Sequence, residues 1–166
     1  MQSSFSSHWR QGGTLNEYQV KAGFVSSFAN FAEWPPEAFK GPNDPVEICV
    51  MGRNPFGHAL VDLVEGKVVA DRALVVREIT DVSAASACHI LFLASSESLR
   101  FRAIPAKLKD HSIFSVGDTN DFIAEGGIAN LCVESGRVRI EINAAAAKEK
   151  NLRISPRLMQ PAKISK

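Results

Sequence analysis

Residues Cys88-His-Ile-Leu-Phe-Leu-Ala94 form a nearly unbroken apolar run of strand length. A strand with one wet face alternates apolar and polar side chains, whereas a strand covered on both faces reads as a continuous hydrophobic stretch. This run therefore belongs at the centre of a sheet with chain packed on each side. Val46-Glu-Ile-Cys-Val-Met51 and Ala73-Leu-Val-Val-Arg-Glu-Ile79 read as further strands, with a small extra one at Val68-Val69. Residues 113–116 add a short strand. Residues 128–133 and 138–142, joined through Glu134-Ser-Gly-Arg137, read as a hairpin.

Helical spacing fills the gaps between these runs. Thr14 and Glu17 form a capping box, and Tyr18, Ala22, Val25, Ala29 and Ala32 recur beyond it with Phe24, Phe28 and Phe31 beside them. The apolar face is wide enough to lie buried on a sheet, which makes Phe28 and Phe31 core residues. Trp34-Pro35-Pro36 stops the helix, and Trp34 reads as its packed end. A second helix is expected from the Asn54 cap and Pro55 to Gly66. Residues 81–87 allow one short helical turn, tight for a parallel crossover. A third helix should run from Ser95 or Ser96 to about Lys109, with Pro105 weakening its second half, and Asp118 or Thr119 should cap a short fourth. Asn143 caps residues 144–150, Asn151 closes that helix in the left-handed region, and the tail 152–162 packs on the body through Ile154, Leu158 and Met159.

The expected fold is thus α/β: a single compact three-layer domain with a central mixed, mainly parallel sheet and a C-terminal hairpin and helix. The length, 166 residues, fits one domain. Residues 1–13 read as a leader or expression remnant without order, and residues 14–166 as the domain. Ten Phe exclude a disordered chain, and a formal net charge of +1 without a basic cluster excludes a nucleic-acid module. The uncharged stretch 82–96 is too short for a membrane span, which needs about 20 apolar residues. The first sixteen residues lack the apolar core of a signal peptide.

No pattern for catalysis or a metal is present. His8, His58, His89 and His111 are scattered and show no zinc spacing. Cys88 and His89 are neighbours on a strand and point to opposite faces, so they make no nucleophile–base pair. Asp118, Asp121 and Glu125 read as solvated acids, and Ser95 and Ser96 as caps. Gly52, Arg53 and Asn54 form the sharpest loop; a tight strand-to-helix turn explains them, and an anion against free N–H groups is the competing reading. Cys49 and Cys88 fall in two strands, and a disulfide is within reach if those strands are neighbours; two buried thiols are the alternative. Arg137, Arg139, Glu141 and Asn143 alternate with Val138, Ile140 and Ile142, which makes a polar ladder that is either a solvated surface or a partner face. Arg157 adds to a mildly basic C-terminal end.

Several strings in order resemble one family. Glu17-Tyr-Gln-Val-Lys-Ala-Gly-Phe24, Glu33-Trp-Pro35, Ile48-Cys-Val50 with Gly52 and Pro55-Phe-Gly57, Val75-Val-Arg77, Cys88-His-Ile-Leu-Phe92, Gly126-Gly-Ile128 and Val138-Arg-Ile-Glu-Ile-Asn143 resemble the YfiR family over about residues 17–160. The resemblance implies a periplasmic, non-enzymatic regulator without cofactors. It would bind the extracytoplasmic part of a membrane diguanylate cyclase and lower cyclic-di-GMP output, and an outer-membrane lipoprotein would relieve it. A homodimer, or another membrane receptor as partner, also fits the family pattern. The family's disulfide between first and central strands would fall on Cys49 and Cys88; its second bond is missing, since only Cys132 is left. Partner contacts are expected at Arg137, Arg139, Glu141 and Arg157. The alternative function is an extracytoplasmic small-molecule or anion sensor built on Gly52, Arg53 and Asn54.

Overall fold

The computed structural model describes the backbone of residues 2–159 and 163–165 and the side chains of residues 17–104 and 106–158. The chain begins with α1 (Gln2–Phe31), which runs straight into a two-residue strand, β1 (Ala32–Glu33). Then follow β2 (Val46–Met51), α2 (Ala59–Val64), β3 (Val68–Val69), β4 (Arg72–Ile79) and β5 (Ile90–Leu93). The second half contains α3 (Ile104–Lys107), β6 (Phe114–Gly117), β7 (Ala129–Glu134), β8 (Arg137–Asn143), α4 (Ala144–Glu149), β9 (Arg153–Ile154), α5 (Pro156–Met159) and β10 (Lys163–Ser165). The main sheet has the order β10-β8-β7-β6-β5-β2-β4-β3, and β1 pairs with β9 in a separate ribbon. From β7 to β4 every pairing is parallel, while β8 and β3 run antiparallel to their inner neighbours. This is the mixed, mainly parallel sheet that the apolar runs demand.

Each face has its own core. On one, α1 and α2 cover Ile48, Val50, Ile90, Phe92, Phe114 and Val116. The Phe28 ring is fully buried there, 5.0 Å from that of Phe114, and such burial contributes about 1.5–3 kcal/mol. On the other, Cys49, Met51, Leu91 and Leu93 meet Phe101, Ile104, Leu108 and Phe122, which come from short turns and one four-residue helix. The Phe122 ring lies flat against Gly117 and Gly127, where any Cβ would collide with it.

The crossover from β4 to β5 passes over this second face as a 3-10 turn, Val82–Ala87, with Val82 and Ala85 buried. It is short, as the residue count required, and it is fastened. Cys88, just past the turn, is disulfide-bonded to Cys49 on β2 with Cα atoms 5.9 Å apart. In the chain-entropy account, closing a loop of this length, 39 residues of separation, stabilises the fold by about 4 kcal/mol.

Four local expectations are corrected. α1 is helical from Gln2 through Thr14, so Thr14 does not cap its start. α2 begins at Ala59, because Gly57 turns into the left-handed region (φ 58°) and Asn54 accepts a hydrogen bond from the Phe56 N–H in an Asx turn instead of capping a helix. The expected helix 95–109 is split into a 3-10 turn (Ser95–Arg100) and α3, with Pro105 in the latter's first turn and the Ser96 hydroxyl bonded to the Arg53 N–H. Residues 118–127 form turns rather than a capped helix. The hairpin turn behaves as read: Ser135 and Gly136 both have positive φ, the mirror-image turn that follows strand twist. Asn143 accepts the Ala146 N–H at the start of α4, and Asn151 is left-handed (φ 61°). Residues 160–162 of the expected packed tail, and the Met159 side chain, lie outside the described residues; Leu152 and Leu158 are buried.

His89 anchors the opposite end of the sheet. Its Nδ1 accepts the Glu47 N–H (3.0 Å), which leaves the proton on Nε2, donated to the Ala38 carbonyl at 2.9 Å. Phe39 stacks on the ring at 4.3 Å, Arg72 sits over Phe39, and the Trp34 indole donates to the His89 carbonyl. Burial holds the imidazole below its ordinary pKa. The folded state thus takes up the proton less readily than the unfolded chain. Its stabilising effect is complete above the unfolded-state value and is lost as pH falls through the lower, folded-state value. Urea unfolding between about pH 7.5 and pH 5 should therefore show stability declining on the acid side, and His89→Gln should flatten that part of the profile. An unchanged profile would contradict the neutral, doubly bonded imidazole.

Candidate functional site

The β7–β8 hairpin has two unlike faces. Ala129, Leu131, Ile140 and Ile142 are sunk in the α1-side core. Strand alternation turns the intervening residues the other way, and the antiparallel register sets them in rows: Asn130 opposite Glu141, Cys132 opposite Arg139, Glu134 opposite Arg137. Asn130 donates to Glu141 Oε1 at 3.1 Å. The Cys132 thiol donates to the Arg139 carbonyl. Arg137 and Arg139 are exposed. Asn130 is 2% exposed, and its Oδ1 is buried without a hydrogen-bond partner among the described residues. Among the described residues, β10 pairs with β8 over Glu141, Ile142 and Asn143. The result is a firmly supported polar face with two guanidinium groups at its outer end.

The sequence-derived candidates do not all converge. Arg137, Arg139 and Glu141 share the hairpin face, but Arg157 stands on α5, whose Leu158 belongs to the α1-side core and whose preceding Ser155 N–H bonds to the Phe31 carbonyl. At Gly52, Arg53 and Asn54 the space is already filled. A Cβ on Gly52 would strike Ser96 and Glu97, and the Arg53 and Phe56 N–H groups are bonded to Ser96 Oγ and Asn54 Oδ1. α2 beyond that loop has only six residues. Asp118, Asp121 and Glu125 do not form an acid group: Asp118 is buried, Asp121 is exposed, and Glu125 faces Arg102 at 3.6 Å. Among the described residues, no group of three or more His, Cys, Asp and Glu side chains is placed to hold a metal, and no helix is long and apolar enough to cross a membrane.

A buried ionic cluster was not foreseen from the sequence. Lys21 reaches Glu17 at 2.7 Å and Asp118 at 3.1 Å, with the Lys21 and Asp118 side chains 4% and 3% exposed. Tyr18 donates its hydroxyl to the same Asp118 oxygen at 2.9 Å. Burial, together with the negative charge of Asp118, holds the Tyr18 phenol above its ordinary pKa. The only advance signal was the i,i+4 spacing of Glu17 and Lys21; the third member lies 97 residues further on. The cluster pins α1 to the chain leaving β6, and through β6 it fixes the helix that backs the hairpin.

The comparisons with known proteins follow the same outline. A family model described as YfiR/HmsC-like matches residues 18–163. No curated protein matches the chain. Among solved structures, it is similar to one titled as the crystal structure of the ABC domain in complex with L-Trp from Streptococcus pneumonia, with a TM-score of 0.55 and 9% identity, covering 85% of this chain and 59% of that one. This chain therefore spans about three fifths of that protein's length, and at such identity the likeness is one of fold.

Removing one member of a buried ion pair leaves the other uncompensated, at a cost of about 3–5 kcal/mol. Asp118→Ala should destabilise by that amount in urea unfolding, whereas Lys21→Met combined with Asp118→Leu should recover most of the loss. A single-variant effect below about 1 kcal/mol, the range of exposed pairs, would show that α1 is not held in this way.

Proposed function

The chain belongs to the YfiR/HmsC-like family of periplasmic, non-enzymatic regulatory proteins, and from that premise we propose that it restrains a membrane diguanylate cyclase by docking on the enzyme's periplasmic part. Restraint lowers cyclic-di-GMP output, and an outer-membrane lipoprotein competing for the domain releases the enzyme. One observation carries the docking reading: the β7–β8 hairpin has one face locked in the core while the other presents Arg137 and Arg139 beside Glu141. Such a face loses little conformational freedom on binding, since its backbone is already fixed. Exposed guanidinium groups suit carboxylate-bearing partner segments, which they can grip in bidentate fashion. Arg157 is a separate contact, engaged by a partner or second copy that reaches the α1 side.

Regulation by docking requires unequal affinity for two states of the partner; a surface that binds both equally shifts nothing. Oxidised protein should recover a diguanylate cyclase from detergent-solubilised membranes. Arg137→Glu with Arg139→Glu should weaken that recovery by at least about tenfold while leaving the urea midpoint unchanged. Recovery of a different receptor alone would overturn the cyclase assignment, and undiminished recovery by the double variant would overturn the hairpin as the docking face.

A further inference from the structure

A cavity of about 360 Å³ opens on the second face of the sheet, between α3, the 118–127 turns and α4. That is within the range of small-molecule sites, about 300–1,000 Å³. Its walls are mostly hydrocarbon: Leu93, Phe101, Ile104, Leu108, Phe122 and Ile128. The rings of Phe101 and Phe122 meet edge to face at 5.4 Å.

The mouth is charged but balanced. Lys109 and Lys150 line it together with Glu125 and Glu149. Lys150 donates to the Leu108 carbonyl at 2.7 Å and feels the carboxylates of Asp110 and Glu149. Glu125 faces Arg102 at 3.6 Å. With two lining cations against two lining anions, a charged ligand would give up water without gaining a spare counter-charge. An uncharged ligand avoids that cost.

Two polar side chains stand on the sheet below, beside Ile128. Ser115 Oγ accepts the Ile128 N–H at 3.0 Å, and the Asn143 N–H donates to the Ile128 carbonyl at 2.7 Å. Asn143 Oδ1 in turn accepts the Ala146 N–H at 3.1 Å, which fixes the amide and leaves Nδ2 as its donor end. Both residues line the cavity, and neither side chain donates to an acceptor among the described residues. What they still offer is therefore hydrogen: the Ser115 hydroxyl proton and the Asn143 amide N–H groups. A few placed donors in an apolar cleft orient a ligand through an acceptor atom.

We propose that this cavity binds an uncharged, mainly hydrocarbon small molecule bearing a carbonyl group, whose oxygen accepts from Asn143 Nδ2 while its chain lies between Phe101, Ile104 and Phe122. The site goes beyond the docking reading: neither Arg137 nor Arg139 lines it, and it fills without a partner.

Titration of the oxidised full chain with methyl pentyl ketone and methyl heptyl ketone, followed by methyl NMR and calorimetry, tests this. Both should bind saturably, with affinity rising about fourfold per added methylene. Octanoate and octylammonium, similar in chain but charged, should bind at least about tenfold more weakly than methyl heptyl ketone. Shifts should be confined to Leu93, Ile104, Leu108 and Ile128 and their neighbours. Asn143→Asp keeps the oxygen that caps α4 and loses the amide donors. It should weaken methyl heptyl ketone by about fivefold or more and leave ethylbenzene, which has no acceptor, within about twofold. Ala145→Trp, at an exposed position on the mouth, should block both ketones without unfolding the domain. Absence of saturable ketone binding, shifts outside the cavity, either charged analogue as tight as the ketone, or full ketone affinity in the Asn143 or Ala145 variant would each overturn the proposal.

Discussion

The bond between Cys49 and Cys88 ties the entry of β5 to the middle of β2, and much of the sheet's second face follows from that tie. The first face is covered by α1, long enough to propagate helix once nucleated and able to present a continuous apolar stripe. The second has no such element. Its cover consists of the turns Val82–Ala87 and Ser95–Arg100, the four-residue α3 and the 118–127 turns. Short 3-10 segments have poor hydrogen-bond geometry and little stability of their own. A cross-link at the start of β5 holds the first of them against Met51 and Leu91, and the aromatic pair Phe101–Phe122 then closes over the rest. Such a bond persists in an oxidising compartment and not in a reducing one, so the architecture is matched to the periplasm.

The two faces divide the work. α1, pinned by Lys21 and Asp118, gives β7 and β8 an immobile back, and the hairpin's outward side chains are then arranged by strand register alone. The outward row of Arg137, Arg139 and Glu141 is therefore set along one strand without a pocket to hold it. The second face, covered by loosely regular segments, is where a cavity survives. A continuous helix packed there would have filled it.

Legibility in the sequence tracked the distance over which information had to travel. Elements set by neighbours were readable: the apolar runs of β2 and β5, the Ser135-Gly136 turn, the Asn143 cap and the left-handed Asn151. Where a remote group competes for a local cap, the reading failed. Ser96 left its expected helix start for the Arg53 N–H, 43 residues away, and Asp118 left its own for Lys21. The first expected helix then split into a 3-10 turn and the short α3, and the second gave way to turns. Gly57 shortened α2 because positive φ at one residue outweighs the helical spacing of Phe56 with those that follow. Of the site, the alternation of Arg137, Arg139 and Glu141 was plain from period two alone, whereas the separation of Arg157 depended on where the tail returns, which no local pattern encodes. The pairing of Cys49 with Cys88 came from family resemblance; spacing by itself favoured two buried thiols.

Native-state hydrogen exchange on the oxidised and the reduced protein tests the central role of the cross-link most directly. If the disulfide braces the second face, reduction should strip protection from the amides of residues 82–94 and from the turns carrying Phe101 and Phe122, while α1, β7 and β8 keep theirs. Uniform loss over the whole domain would contradict a face-specific brace, and so would protection unchanged by reduction.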